Sequence, residues 1–141
     1  MNPRILVDTN VLVYLFDGDA PDKREVARQV VDEHVRRGSL RVSAQVLGEF
    51  YVTVTRKFAR QLSAAAVRDA MRDLAHLPFV AIDGETVLAA VAGSQEHTLS
   101  FWDALIVETA RVGGCEVVLT EDMQDGREFG AVTIRNPFRG A

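Results

Sequence analysis

The chain has a single cysteine, Cys115, which rules out an internal disulfide and any paired-thiol redox or metal motif. It opens the strand-like run Glu116-Val117-Val118-Leu119, so a buried thiol is expected rather than a reactive one. Long apolar runs are also missing, and none approaches the roughly 20 residues of a membrane-spanning helix. The amino terminus enters a strand pattern directly, without the apolar stretch and cleavage site of a signal peptide, and the expected location is the cytoplasm. Lysine is scarce, with Lys23 and Lys57 alone. There is no serine nucleophile elbow and no phosphate-cradling glycine loop. His34, His76 and His97 lack the spacing of a ligand pair, and His34 falls in an apolar helical stripe, so structural or exposed roles are expected for all three.

At 141 residues the chain is long enough for one domain with its own core. A net charge of −4 weighs mildly against generic nucleic-acid binding, which goes with a basic excess. Several of the negative charges are candidate metal ligands, however, and bound cations would cancel them. Local charge therefore matters more than the total.

Strand signals occur at 5–7, 40–42, 79–82, 117–119 and 132–134, and helical periods fill the intervals. One helix is expected over 22–37, its apolar face made by Ala27, Val30, Val31, His34 and Val35, with Gly38 just past its end. A second is expected over 44–60, and a third over 63–77 with Ser63 as N-cap and Pro78 as stop. Helices over 85–95 and 101–112 complete the set. Strands alternating with helices predict a mainly parallel sheet covered on both faces. The consecutive helices 44–60 and 63–77 share one crossover and predict a projecting helical hairpin. The tail 135–141 reads as a short trailing segment.

Four carboxylates fall where such a sheet brings its functional edge together. Asp8 follows Ile5-Leu6-Val7, and Asp122 follows Val117-Val118-Leu119-Thr120, with Asp125 close behind. Glu49 and Asp103 stand near the starts of otherwise apolar helical stretches. Taken singly, each has a plain structural role. Asp8 fits an Asx turn or N-cap, a role that Thr9 or Asn10 would also fill; Glu49 fits a solvated charge; Ser100 and Asp103 have capping-box spacing; Asp125 fits the turn before Gly126. Gathered together, carboxylates repel and resist desolvation, and a hard divalent cation with oxygen ligands removes that cost. Mg²⁺ or Mn²⁺ is the expected cofactor, held by Asp8, Glu49, Asp103 and Asp122, with Asp125 as a further ligand or a turn former. Thr9 and Thr120 are candidates to orient a water. The face Glu49, Thr53, Arg56, Arg60 runs from acid to base, and Arg56, Lys57 and Arg60 are the candidate phosphate contacts. Trp102 is expected to pack in the core beside Asp103.

Five segments together resemble the PIN-domain ribonucleases, particularly the VapC toxins of toxin–antitoxin pairs. They are Val7-Asp8-Thr9-Asn10-Val11-Leu12, Gly48-Glu49-Phe50, Phe101-Trp102-Asp103-Ala104-Leu105-Ile106, Thr120-Glu121-Asp122-Met123-Gln124-Asp125-Gly126 and Asn136-Pro137-Phe138. The resemblance spans the chain and implies a three-layer α/β/α sandwich on a five-stranded, mainly parallel sheet. It also implies divalent-metal-dependent endoribonuclease activity, homodimerisation and inhibition by a small antitoxin. Asp8, Glu49, Asp103 and Asp122 match the family's acidic positions, with Asp122 and Asp125 partly interchangeable. Apolar residues around 62–67 and 87–91 are the candidate dimer surface, and the 44–77 hairpin the candidate antitoxin surface. Two alternatives stand beside this reading: an inactive PIN-like scaffold that binds RNA or protein, and a metal-dependent phosphatase. The haloacid-dehalogenase form of the latter requires a second Asp where Asn10 stands.

Overall fold

Strand β1 (Ile5–Val7) is fully buried and lies in the middle of the sheet, as an uninterrupted apolar triplet requires. The computed structural model describes residues 3–139. Around β1, strands β2 (Leu40–Ser43), β3 (Phe79–Val80), β4 (Val117–Leu119), β5 (Glu128–Phe129) and β6 (Val132–Arg135) form one sheet in the order β3-β2-β1-β4-β6-β5. The five expected strands are all parallel to their neighbours; β5 adds a sixth, antiparallel to β6. It is two residues long, too short to leave an alternating pattern, and β3 likewise ends at Val80 rather than at Ile82.

Among the described residues six helices occur: α1 (Thr9–Tyr14), α2 (Pro21–Arg36), α3 (Ala44–Lys57), α4 (Ala64–Ala75), α5 (Gly84–His97) and α6 (Phe101–Val112). They cover both sides of the sheet and complete the α/β/α sandwich. Helix α1 was not expected, because six residues hold fewer than two turns of periodicity. The buried stripe of α2 is Ala27, Val31 and His34, while Val35 turns 43% exposed to solvent. Buried His34 hydrogen-bonds Ser39 Oγ at 3.0 Å. Ser63 caps α4 by accepting from Ala66 N at 3.1 Å, as its spacing predicts. Helix α4 packs back on α3, and this buries Val67, a residue of the candidate dimer surface, to 6% exposure.

Helix α6 is apolar nearly all round and buries Ala104, Leu105, Ile106, Val107, Thr109 and Ala110. Trp102 does not join it in the core; at 61% exposure it leans edge-on against Phe101. The tail is not merely trailing, since Phe138 is buried and packs edge-on against Tyr14 at 4.9 Å. Among the described residues, no helix is long and apolar enough to cross a membrane.

In sheet order the chain leaves β1 toward β2 and β3 on one side, and reaches β4 and β6 on the other. Parallel α/β sheets open a crevice at such a switch, beyond the carboxyl ends of the strands. Here that point lies between β1 and β4, immediately before Asp8 and before the loop that carries Asp122.

Candidate active site

Asp8 leaves β1 with its backbone N–H donated to Leu119 O of β4 at 2.9 Å, so it is pinned at the switch point. It caps α1, accepting from Thr9 N at 2.7 Å through Oδ1. Its Oδ2 accepts from Thr120 Oγ1 at 2.8 Å. The residue is 8% exposed. Asp8 itself is the N-cap of α1, a role that Thr9 and Asn10 do not take. Burial pushes its carboxyl up to about 6, against the pull of the Thr120 and Thr9 bonds, and the charges of Asp122 and Glu49 add to the rise.

The other three acids come from separate elements. Glu49 lies on α3, whose start is fixed by buried Ser43 accepting from Val46 N at 3.3 Å. Asp103 sits in the first turn of α6, where its N–H is donated to Ser100 Oγ at 3.1 Å, the contact that capping-box spacing predicts. Asp122 follows β4, with its N–H donated to Thr120 Oγ1 at 3.1 Å. Desolvation raises the carboxyls of Glu49 and Asp103. The charge of Asp103 adds to the rise at Glu49, and that of Asp122 adds to it at both. Asp8, Glu49 and Asp103 thus each feel the charge of a neighbouring acid.

Asp125 turns away. Its Oδ1 accepts from Asn136 N and its Oδ2 from Arg139 Nη1, both at 2.8 Å, and these donors hold its carboxyl below the usual range. It fastens the carboxy-terminal segment that delivers Phe138.

Asn10 joins two ends of the site, and its role was not read from the sequence. Its Nδ2 donates to Thr120 Oγ1 and to Asp122 Oδ2, each at 3.0 Å, with Asp8 Oδ2 at a longer 3.5 Å. Its Oδ1 accepts from Glu121 N at 3.3 Å. Thr120 is saturated as a result: it gives its proton to Asp8 and receives Asn10 Nδ2 and Asp122 N. Its one hydroxyl proton goes to Asp8. Thr9 Oγ1 differs, being buried with no hydrogen-bond partner.

Gln45 is a second residue the sequence reading passed over. Nε2 donates to Trp102 O at 3.1 Å, tying α3 to the start of α6, and the amide one turn before Glu49 offsets part of the rise at that carboxyl. Gln45 Oε1 is buried without a partner. The contact to Trp102 joins elements far apart in the chain, and a Gln one turn before a Glu on a helix gives no local signal.

A cavity of about 280 Å³ opens beside the acids, lined among others by Thr9, Tyr14, Glu49, Thr53, Lys57 and Asp122. The acid-to-base track along α3 therefore runs Glu49, Thr53, Lys57, not Glu49, Thr53, Arg56, Arg60. Helix α3 ends at Lys57, short of Arg60, and Arg56 and Arg60 are both exposed outside the cavity. A larger hollow of about 890 Å³ lies over α2, lined by charged side chains such as Arg37 and Glu33 that pair along that helix at 2.8 Å.

Among the described residues, no three His, Cys, Asp or Glu side chains converge tightly enough to grip one ion by themselves. The donors that do face the crevice are all oxygens, with buried Thr9 Oγ1 unpartnered beside them. That set suits a hard divalent cation that keeps several of its own waters and needs few direct protein ligands. It does not suit a closed cage.

The sequence matches the PIN domain over residues 5–124, and the chain belongs to the PIN-domain family. No curated protein matches it. Solved structures that align with the chain include proteins of toxin–antitoxin systems. A Klebsiella pneumoniae toxin–antitoxin complex aligns with a TM-score of 0.70 at 22% identity, over 95% of this chain and 98% of that one. VapC20 of Mycobacterium tuberculosis, a sarcin–ricin loop cleaving toxin, gives 0.65 at 23% identity, over 81% and 86%. VapBC2 of Rickettsia felis, bound to a promoter DNA fragment, gives 0.65 at 15% identity, over 94% and 97%.

Proposed function

We propose that the chain is a Mg²⁺- or Mn²⁺-dependent endoribonuclease and the toxin of a toxin–antitoxin pair. The observation that carries this reading is Asp8: a buried carboxylate fixed at the β1–β4 switch point, raised to about 6 and facing the charges of Asp122 and Glu49. A fold has little reason to bury a carboxyl among acids unless a cation completes the site. Membership of the PIN family supports nuclease chemistry, and the similarity to a sarcin–ricin loop cleaving toxin supports RNA as the substrate.

Asp8 and Asp103 would hold the metal, with Glu49 and Asp122 binding it directly or through waters. Bound there, the cation supplies charge stabilisation for the phosphoryl oxygens and an acidified water. The remaining work falls to the chain. Thr9 Oγ1 is free to orient the attacking water. Thr120 and Asn10 keep the oxygens of Asp8 and Asp122 at fixed positions, so little reorganisation is needed as charge builds. The α3–α4 pair supports binding of an antitoxin, and the protein acts in the cytoplasm as a homodimer.

The test is direct. Asp8→Asn and Asp103→Asn should each abolish cleavage of RNA under saturating Mg²⁺ or Mn²⁺ while circular dichroism shows the fold intact. Full activity in either variant removes the metal-site assignment.

A further inference from the structure

The cavity beside the acids has a far end that their chemistry does not use. Glu49, Thr53 and Lys57 recur every fourth residue along α3 and all line it. Eight residues of helix advance by roughly 12 Å, so Lys57 stands well beyond the carboxylates. Its ammonium is fixed rather than loose. Nζ lies 2.9 Å from Asp17 Oδ2, and 5.9 and 5.8 Å from the ring centroids of Tyr14 and Phe58. Asp17 is 4% exposed, and its Oδ1 accepts from Asp19 N at 3.1 Å. The lysine holds the Asp17 carboxyl below the usual range. An ammonium has three donors, and the Asp17 bond uses one, leaving two for the cavity.

We propose that Asp17 is a positioning residue that holds Lys57 at the far end of the cavity to receive a backbone phosphate flanking the cleaved bond in single-stranded RNA. The proposal rests on the nuclease reading and extends it from the scissile phosphate to a neighbouring one. Lys57 is one of only two lysines in the chain. A cation already ordered by a buried partner loses less side-chain freedom on binding than a free surface arginine does.

Net charge and position give opposite signs for one variant, and this makes the test decisive. Asp17→Asn removes a negative charge, so long-range attraction alone tightens RNA binding. Loss of the Lys57 anchor weakens it. Binding of a labelled single-stranded oligouridylate is measured by fluorescence anisotropy with Mg²⁺ across a salt series. The background is Asp103→Asn, and electrophoresis verifies that the recovered probe is uncut. Lys57→Gln, which retains a donor for Asp17, should weaken binding roughly tenfold and reduce the salt slope by about one. Asp17→Asn should weaken binding several-fold. Binding by Asp17→Asn that equals or exceeds the parent overturns the positioning role. An unchanged salt slope in Lys57→Gln overturns the phosphate contact, and decides the matter alone if Asp17→Asn fails to fold. A probe cut in the Asp103→Asn background counts instead against the metal-site assignment on which the nuclease reading rests, so the two failures are distinct.

Discussion

Asp8 meets two opposed demands, since it must stay in place as the cap of α1 and yet carry charge when a cation arrives. In the metal-free protein its carboxyl lies at about 6, against an ordinary value of 3.8. Above both values it is ionised in the folded and unfolded chain alike, and the folded state bears the full cost of burial. As pH falls through about 6 the folded protein takes up a proton that the unfolded chain does not take until about 3.8, so stability from this group rises. That separation corresponds to on the order of 3 kcal/mol. In chelator, the melting temperature of the wild type relative to Asp8→Asn should therefore climb between pH 7 and pH 4, with Asp8→Asn the more stable near pH 7. A difference that is constant across that range would show Asp8 to be unperturbed. Asp8 was legible in the sequence because an acid directly after an apolar triplet marks the end of a buried strand. Asn10 and Gln45 were not, because their partners at 120–122 and 102 meet them only in the folded chain.

Helix α3 shows how far periodicity reaches. Its apolar pattern continues into Phe58, which is buried, and so the sequence reads as helix to residue 60. The helix ends at Lys57, with Phe58 in a non-helical C-cap conformation; apolar spacing reports burial and does not distinguish a last turn from the loop after it. That small difference moves the basic end of the track from Arg60 to Lys57. The same element carries the partner surface. Tyr51 is 49% exposed, and with Thr55, Leu62, Ala64 and Val67 it lines a groove of about 310 Å³ between α3 and α4. An apolar antitoxin segment seated there would be lost with Tyr51→Asp, because a charge in the groove loses its water without gaining a partner. Co-purification of the neighbouring gene's product with wild type but not with Tyr51→Asp, at an unchanged melting temperature, is the expected result. Equal capture by both proteins would place the antitoxin elsewhere.

At the scale of the whole molecule, α5 presents an apolar outer face: Leu88 is 70% exposed, Val91 41% and Val87 36%. Exposed apolar groups that cluster on one helix favour a symmetric contact with a second copy. Light scattering at micromolar concentration should give twice the 15.5 kDa of the chain, and Leu88→Lys should halve it. A wild-type mass near 15.5 kDa would exclude the dimer.

The parallel core strands, the alternation with helices and the four acidic positions follow from the sequence alone, because strand burial, helical period and capping are local properties of neighbouring residues. The antiparallel β5, the exposure of Trp102, the turning away of Asp125 and the Lys57–Asp17 anchor were decided by the tertiary structure. Each depends on which distant groups arrive within hydrogen-bond or packing distance, and no run of adjacent residues encodes that distance.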